Sequence, residues 1–179
     1  MCSSDLVTAG HGLQPLVDAA QADHDDYRAI LLKAVADRLA EAFAEYLHEQ
    51  VRRDVWAYET GPAHDNDALI AEAYRGIRPA PGYPAQPDHT EKETIWRLLD
   101  VEEATGITLT EHLAMHPAAS VCGLIFSHPE AAYFNVGQIP ADQIHDYGRR
   151  KGRTVADMER WLQSRLAYEP GAANAAPTN

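Results

Sequence analysis

The run GIRPAPGYPA, residues 76–85, places a guanidinium, a glycine and a phenol among three prolines. Pro79, Pro81 and Pro84 each lack a backbone N–H and fix φ near −65°, so the run fits neither a helix nor a strand. A loop stiffened in this way loses little entropy when it takes a ligand. Its free C=O groups can pair with a ligand's polar edge. Arg78 offers a planar fork suited to a carboxylate or phosphate, Gly82 permits close backbone approach and Tyr83 supplies a ring. The same residues also suit a plainer role, a stiff connector in which Arg78 caps the helix ending at Arg75. Residue types alone leave both readings open.

Other groups with chemical potential are scattered. Tyr133 and Phe134 are consecutive in an apparent strand, so one can be core while the other faces a ligand. Glu41 and Glu72 are the carboxylates best placed to meet a cationic ligand, although a solvated helix face also accounts for each. Arg149, Arg150 and Lys151, with Arg153, are the densest positive patch; they suit a helix C-terminus or the docking of an acidic partner. His112 and His116 stand four residues apart, but Pro117 follows at once and neither HExxH nor a cysteine partner is present, so no metal site is read from them. No P-loop, GxGxxG, GxSxG or nucleophile–base pair is visible, and no catalytic residue is assigned.

The elements that must position these groups are mostly helical. Asp25 to about Val55 reads as one long helix. Tyr27, Ile30, Leu31, Ala34, Leu39, Ala42, Phe43, Tyr46, Leu47 and Val51 form its apolar stripe, which is expected to face the core. A short helix is expected over Asp67–Arg75, stopped by Gly76. Thr90 and Glu93 make a capping box for a helix running to about Thr105, closed by Gly106. Ser120–Phe126 and Ala132–Gln138 read as an antiparallel hairpin across SHPE. Pro140 opens a helix reaching about Arg150 and ended by Gly152, and Thr154 caps a last one. The tail from Glu169 has almost nothing to bury and is expected to be disordered. Long helices packed around a small antiparallel sheet make an α+β domain.

Composition narrows the partners. Lys and Arg total 15 against 27 Asp and Glu, a net charge of −12 among 179 residues, which argues against nucleic acid and anionic membrane surfaces. Cys2 and Cys122, the only cysteines, form no CxxC, as suits a reducing cytosol. No apolar run approaches a membrane span and no signal peptide is visible, so a cytoplasmic protein is expected.

HDDYRAILLKAVADRLAEAFAEYLHEQVRRDVWAY, GIRPAPGYPAQPDHTEKETIWRLL and SHPEAAYFNVGQI closely resemble the C-terminal activation domain of cobalamin-dependent methionine synthase. The resemblance runs from about Val7 to about Tyr168 and is carried most specifically by RxxxGY followed by HTEK. It implies a domain that binds S-adenosylmethionine while reduced flavodoxin, or another reductase, supplies an electron to oxidised cobalamin; methyl transfer then restores methylcobalamin. On the family pattern, Arg78, Ala80 and Tyr83 hold S-adenosylmethionine, with Arg78 on its carboxylate. Tyr133 and Phe134 match the aromatic pair, where the family often has tyrosine at the second position, and Glu41 and Glu72 match carboxylates near the ligand's cationic groups.

The resemblance also implies what lies elsewhere. Cobalamin, and the zinc of the homocysteine module, belong to modules not represented here, so the chain is not catalytically complete. The cobalamin-binding module is the implied partner. The family's domain begins well upstream of Val7, in a part that includes an aspartate contributing to S-adenosylmethionine binding. Residues 1–6, MCSSDL, match nothing in the family and are expected to be an artefactual start on a truncated fragment, before an activation-domain portion over 7–168 and the tail, 169–179.

Overall fold

The computed structural model describes residues 2–171. In chain order the elements are β1 (Cys2–Thr8), α1 (Leu13–Ala22), α2 (Asp26–Gln50) with a π-helical extension (Val51–Val55), and α3 (Asn66–Ile70). Then come α4 (Glu91–Leu99), α5 (Val101–Thr105), β2 (Thr108–Leu109), β3 (Met115–His116), β4 (Ser120–Phe126), α6 (Ala141–Lys151) and α7 (Val155–Trp161). The architecture is α+β, as expected. It divides into two units, one drawn from Met1–Ala80 and Lys92–Ala132 and the other from Pro81–Glu91 and Tyr133–Asn179, in each case through the described residues.

In the first unit β1 and β4 pair antiparallel, from Cys2 opposite Phe126 to Thr8 opposite Ser120. The other edge of β4 takes the start of the proline loop: Ile77 and Phe126 exchange backbone hydrogen bonds of 3.0 and 2.9 Å, and Leu124 N–H donates to the Pro79 carbonyl at 2.8 Å. Part of the loop is therefore strand-like, contrary to expectation, because Pro79 needs only its acceptor on that edge. The expected hairpin partner of β4, Ala132–Gln138, does not pair with it. Both edges of β4 are already occupied, and the Val136 N–H instead reaches the Pro84 carbonyl at 3.0 Å within the second unit. Tyr133 and Phe134 thus lie on irregular backbone, not on alternate faces of a sheet.

The first unit's core gathers Ile95, Trp96, Val101, Ile107 and Cys122, with Leu6, Leu109 and Leu124 against them. Trp96 Nε1 donates to the Ile107 carbonyl at 3.0 Å, which satisfies the one polar atom of the ring. A separate core in the second unit joins Ile139, Ile144, Met158, Leu162 and Leu166 from α6, α7 and flanking segments. The α7 start is as expected, with Thr154 Oγ1 accepting the Asp157 N–H at 3.1 Å. Gly106 and Gly152 close their helices in the left-handed conformation.

Three helix expectations need correction. The helix expected to run from Thr90 to Thr105 is two, α4 and α5, divided at Asp100 with φ 46°. α3 ends well before Gly76: Glu72 takes the left-handed position itself, with φ 52°, while Glu72 N–H and Ala73 N–H bond the Leu69 and Ala68 carbonyls at 3.0 Å. That is a Schellman closure with glutamate where glycine is usual. The third concerns α2, whose buried residues are Ala29, Ala36, Ala40, Ala44 and His48. Its small face packs on α1, β1 and β4, while Tyr27, Ile30, Leu31, Leu39, Phe43 and Tyr46 are exposed. Apolar periodicity located the helix but reported the wrong face, because close approach selected the alanine row.

Of the tail, residues 172–179 lie outside the described residues. The packing of α2 makes an inverted mutational pattern testable by thermal or chemical denaturation. Ala40→Leu overpacks a closed contact and is expected to cost about 1–3 kcal/mol. Leu39→Ala on the exposed face is expected to cost under about 0.5 kcal/mol.

Candidate functional site

The guanidinium of Arg78 is set by the sheet beneath it. Asp5 and Gly123 are register partners on β1 and β4, and the strand-like Ile77–Pro79 lies along the other side of β4. A β-carbon at position 123 would lie 2.9 Å from Arg78 Cζ, so the arginine crosses β4 over its one residue without a side chain. There it meets Asp5 as a fork, Nε to Oδ2 at 2.6 Å and Nη2 to Oδ1 at 2.5 Å. The side chains are 10% and 5% exposed. The planar fork expected of Arg78 is engaged by the chain's own carboxylate, Asp5. Nothing in the sequence singled out Asp5 or Gly123; the only available signal was a glycine inside the β-rich SVCGLIF.

A second buried guanidinium orders the approach to that loop. Arg52, in the π-helical turn after α2, and His48, in the last turn of α2, are both 0% exposed. Arg52 donates Nε to Glu59 Oε2 at 2.9 Å and Nη1 to His48 Nδ1 at 2.7 Å, with its Cζ 4.2 Å from the centre of the Tyr74 ring. Glu59 Oε1 in turn accepts the Arg75 N–H at 2.8 Å, three residues before Arg78. Burial first, then the Arg52 and Arg78 charges, lower the His48 pKa to about 3, against a smaller opposing effect of Glu59. The imidazole is therefore neutral and free to accept from Arg52. A helix that widens by one residue per turn at such a place is a common mark of a functional segment.

The ring-bearing candidates belong to the second unit. Tyr83 is 62% exposed. It sits in a tight turn in which Gly82 N–H donates to the Gln86 carbonyl at 2.7 Å and Gln86 N–H to the Tyr83 carbonyl at 2.9 Å. Gly82 has φ 98° and lies under the His89 ring, where a β-carbon would come within 2.1 Å of Cε1; only glycine fits. Tyr133 and Phe134 are also exposed. Ala80, with Arg78, is in the first unit, as are Glu41 and Glu72, which are exposed and make no side-chain hydrogen bond or ion pair among the described residues.

The basic patch at the end of α6 does not act as one surface. Lys151 is turned inward, its Nζ donating to Asp88 Oδ2 at 2.6 Å, Glu91 Oε1 at 2.8 Å and Thr90 Oγ1 at 2.5 Å, so it is not available for docking as expected. Arg149 and Arg150 stay exposed but share Asp146, at 2.5 and 2.9 Å. Their charge is already half answered. His112 and His116 do not share a helix face, and no group of three metal-ligating side chains occurs among the described residues. No helix among those residues is long and apolar enough to cross a membrane.

Residues 3–152 match the family described as vitamin B12 dependent methionine synthase, activation domain. The chain belongs to that family. The match begins upstream of Val7, so residues 3–6, expected to be foreign to the family, fall within it and supply most of β1. Among solved structures, the chain is similar to one described as the crystal structure of the MetH reactivation domain bound to AdoHcy, with 56% identity and a TM-score of 0.91. The likeness covers 94% of this chain and 52% of that one, so the chain spans about half the length of its structural relative.

The state of His48 predicts a pH dependence. The folded imidazole resists protonation until about pH 3, whereas the unfolded one protonates at about 6.5. Below that pH the unfolded state binds the extra proton, so this group's contribution is intact above about 6.5 and is lost as pH falls toward 3. The expected slope is about 1.4 kcal/mol per pH unit. Urea denaturation of wild type and His48→Gln between neutral pH and about pH 4.5 checks it; the variant's stability should vary less over that interval.

Proposed function

We propose that this chain is a reactivation component that binds S-adenosylmethionine, a member of the methionine synthase family that does not form methionine by itself. The observation that carries this reading is the buried fork of Arg78, on a loop held by the edge of β4, in a chain similar to a domain whose structure contains AdoHcy. Arg78 takes the ligand's carboxylate, with the backbone at Ala80 as a further contact within the first unit; Tyr83, Tyr133 and Phe134, in the second unit, are ligand contacts on the family pattern alone. Glu41 and Glu72, exposed and without a hydrogen bond or ion pair among the described residues, favour the ligand's ammonium and sulfonium charges. S-adenosylmethionine would supply a methyl group to the cobalt of a cobalamin held by another module, with the electron supplied by a reductase such as flavodoxin, in the cytoplasm. This chain's contribution is aim, since positioning is the main service a protein offers such a transfer.

Asp5 gives this reading a specific consequence, because it competes with the ligand for the same fork. Isothermal calorimetry with S-adenosylmethionine is expected to show Arg78→Ala weakening binding at least tenfold, the loss of about 1.5 kcal/mol in charge-assisted hydrogen bonds. Asp5→Asn is expected to tighten it by removing a carboxylate that competes for the fork. Equal heats for wild type and Arg78→Ala would sink the assignment.

A docking module is the second reading, and the exposed apolar face of α2 favours it. A contiguous stripe from Tyr27 to Tyr46 is more apolar surface than an isolated helix face usually leaves in water. Its occupant in this reading is the cobalamin-binding module of the family's enzyme. Leu39→Asp with Phe43→Asp is expected to abolish capture of that isolated module while leaving the melting temperature within a few degrees of wild type. Capture by the doubly substituted chain at wild-type strength would exclude α2 as the docking surface.

A further inference from the structure

The second unit contains a charge cluster that the binding reading does not use. Asp88 is 3% exposed. Its Oδ1 accepts the Thr90 N–H at 2.7 Å, and its Oδ2 accepts Thr90 Oγ1 at 2.8 Å, Tyr147 OH at 2.7 Å and Lys151 Nζ at 2.6 Å. Tyr147 OH also reaches Glu91 Oε1 at 2.9 Å, so one phenolic proton is shared between two carboxylates. All three N–H groups of Lys151 have acceptors: Asp88, Thr90 and Glu91. One ammonium thus sits between two carboxylates, and both cluster members from α6, Tyr147 and Lys151, point at the segment Pro81–Glu91.

That segment is tied at its other points as well. Gly82 is pinned beneath the His89 ring, the turn Gly82–Gln86 is closed by its own hydrogen bonds, and the Pro84 carbonyl holds Val136 N–H at 3.0 Å. The Pro84 bond joins the loop to the stretch that carries Tyr133 and Phe134. A continuous chain of contacts therefore runs within this unit from α6 through Asp88 to Tyr83 and the aromatic pair.

We propose that Lys151 and Tyr147 are positioning residues, which through Asp88 hold the loop Pro81–Glu91 and with it Tyr83, Tyr133 and Phe134 in their binding orientation. The inference rests on the reading of this loop as a ligand loop. A buried carboxylate that loses its cation must be protonated or hydrated, and either outcome loosens the turn that depends on it. Asp88 is held below the ordinary carboxylate range, where its hydrogen bonds from Lys151, Tyr147 and Thr90 outweigh the opposing effect of burial. The clasp is then intact at neutral pH and opens as pH falls through that lowered value. Without Lys151, Asp88 titrates at a higher pH and the opening moves upward.

The test uses the full chain and its Lys151→Met, Lys151→Arg and Tyr147→Phe variants. S-adenosylmethionine affinity is measured across pH, with circular dichroism to report the folded fraction. Lys151→Met is expected to weaken binding about tenfold and move the acid limb to higher pH, the loss of a charge-assisted bond network. Lys151→Arg is expected to return the limb toward its wild-type position, and Tyr147→Phe to have a smaller effect of the same sign. Unchanged affinity and an unmoved limb in Lys151→Met would overturn the proposal, as would a loss wholly accounted for by unfolding. If the wild type binds no S-adenosylmethionine, the binding reading fails, and amide exchange then judges the clasp. Lys151→Met should speed exchange at Gly82, Gln86 and Val136 but not at Met158 in α7; equal rates at all four would remove the positioning role.

Discussion

A buried guanidinium cannot be left without a counter-charge, and the first unit is arranged around that constraint at Arg78. The residue comes from a loop that lies along β4, crosses the strand where Gly123 offers no side chain, and meets Asp5 on the far neighbour. Three segments distant in sequence are thereby tied by one ion pair in addition to their backbone ladder. Removing either charge leaves the other dehydrated, which costs several kcal/mol where the pair itself contributes little net stability. The arrangement is thus better at fixing geometry than at adding stability. It also holds the two prongs of the Arg78 guanidinium in one fixed plane against Asp5.

Each unit repeats the device with a different cation. In the first, Arg52 binds Glu59, His48 and the Tyr74 face, and Glu59 passes the constraint to the Arg75 backbone. In the second, Lys151 and Tyr147 grip Asp88 and Glu91. The choice of cation matches the task. Arg52 needs a flat, permanently charged group that can stack on an aromatic ring while donating in its own plane; Lys151 needs three donors radiating from one atom. Both clusters hold irregular backbone that no helix or sheet ladder would otherwise restrain.

The long helix shows a different balance. α2 turns its alanines inward, so its axis comes close to α1 and the sheet, and its large apolar residues are left in water. In an isolated domain that distribution is costly, because the exposed side chains contribute nothing to burial. The large apolar side chains of this face therefore lie outside the first unit's core.

Much of the local structure was legible from residue types. The long helix starts beside Asp25, Gly106 and Gly152 end their helices, Thr154 caps α7, and SVCGLIF is β4, because dipole-favoured ends, left-handed closure, capping and β-rich runs depend on neighbours in sequence. The irregular Pro81–Pro84 part of the proline run was legible for the same reason, but not the strand-like pairing of Ile77–Pro79 with β4. Pairing was not: β4 chose β1 and Ile77–Pro79 over the nearer Ala132–Gln138, and no local property ranks strands that compete for an edge. Nor could α2's buried face be read from periodicity, since two faces of one helix were apolar and only packing distance chose the smaller side chains. The turn of Lys151 inward and the pairing of Arg78 with Asp5 are of this second kind. By itself the sequence determined several helix caps and closures, one strand and which residues carry charge. The tertiary structure alone decided which charges meet, because electrostatic partners are set by proximity in space, and proximity follows from packing.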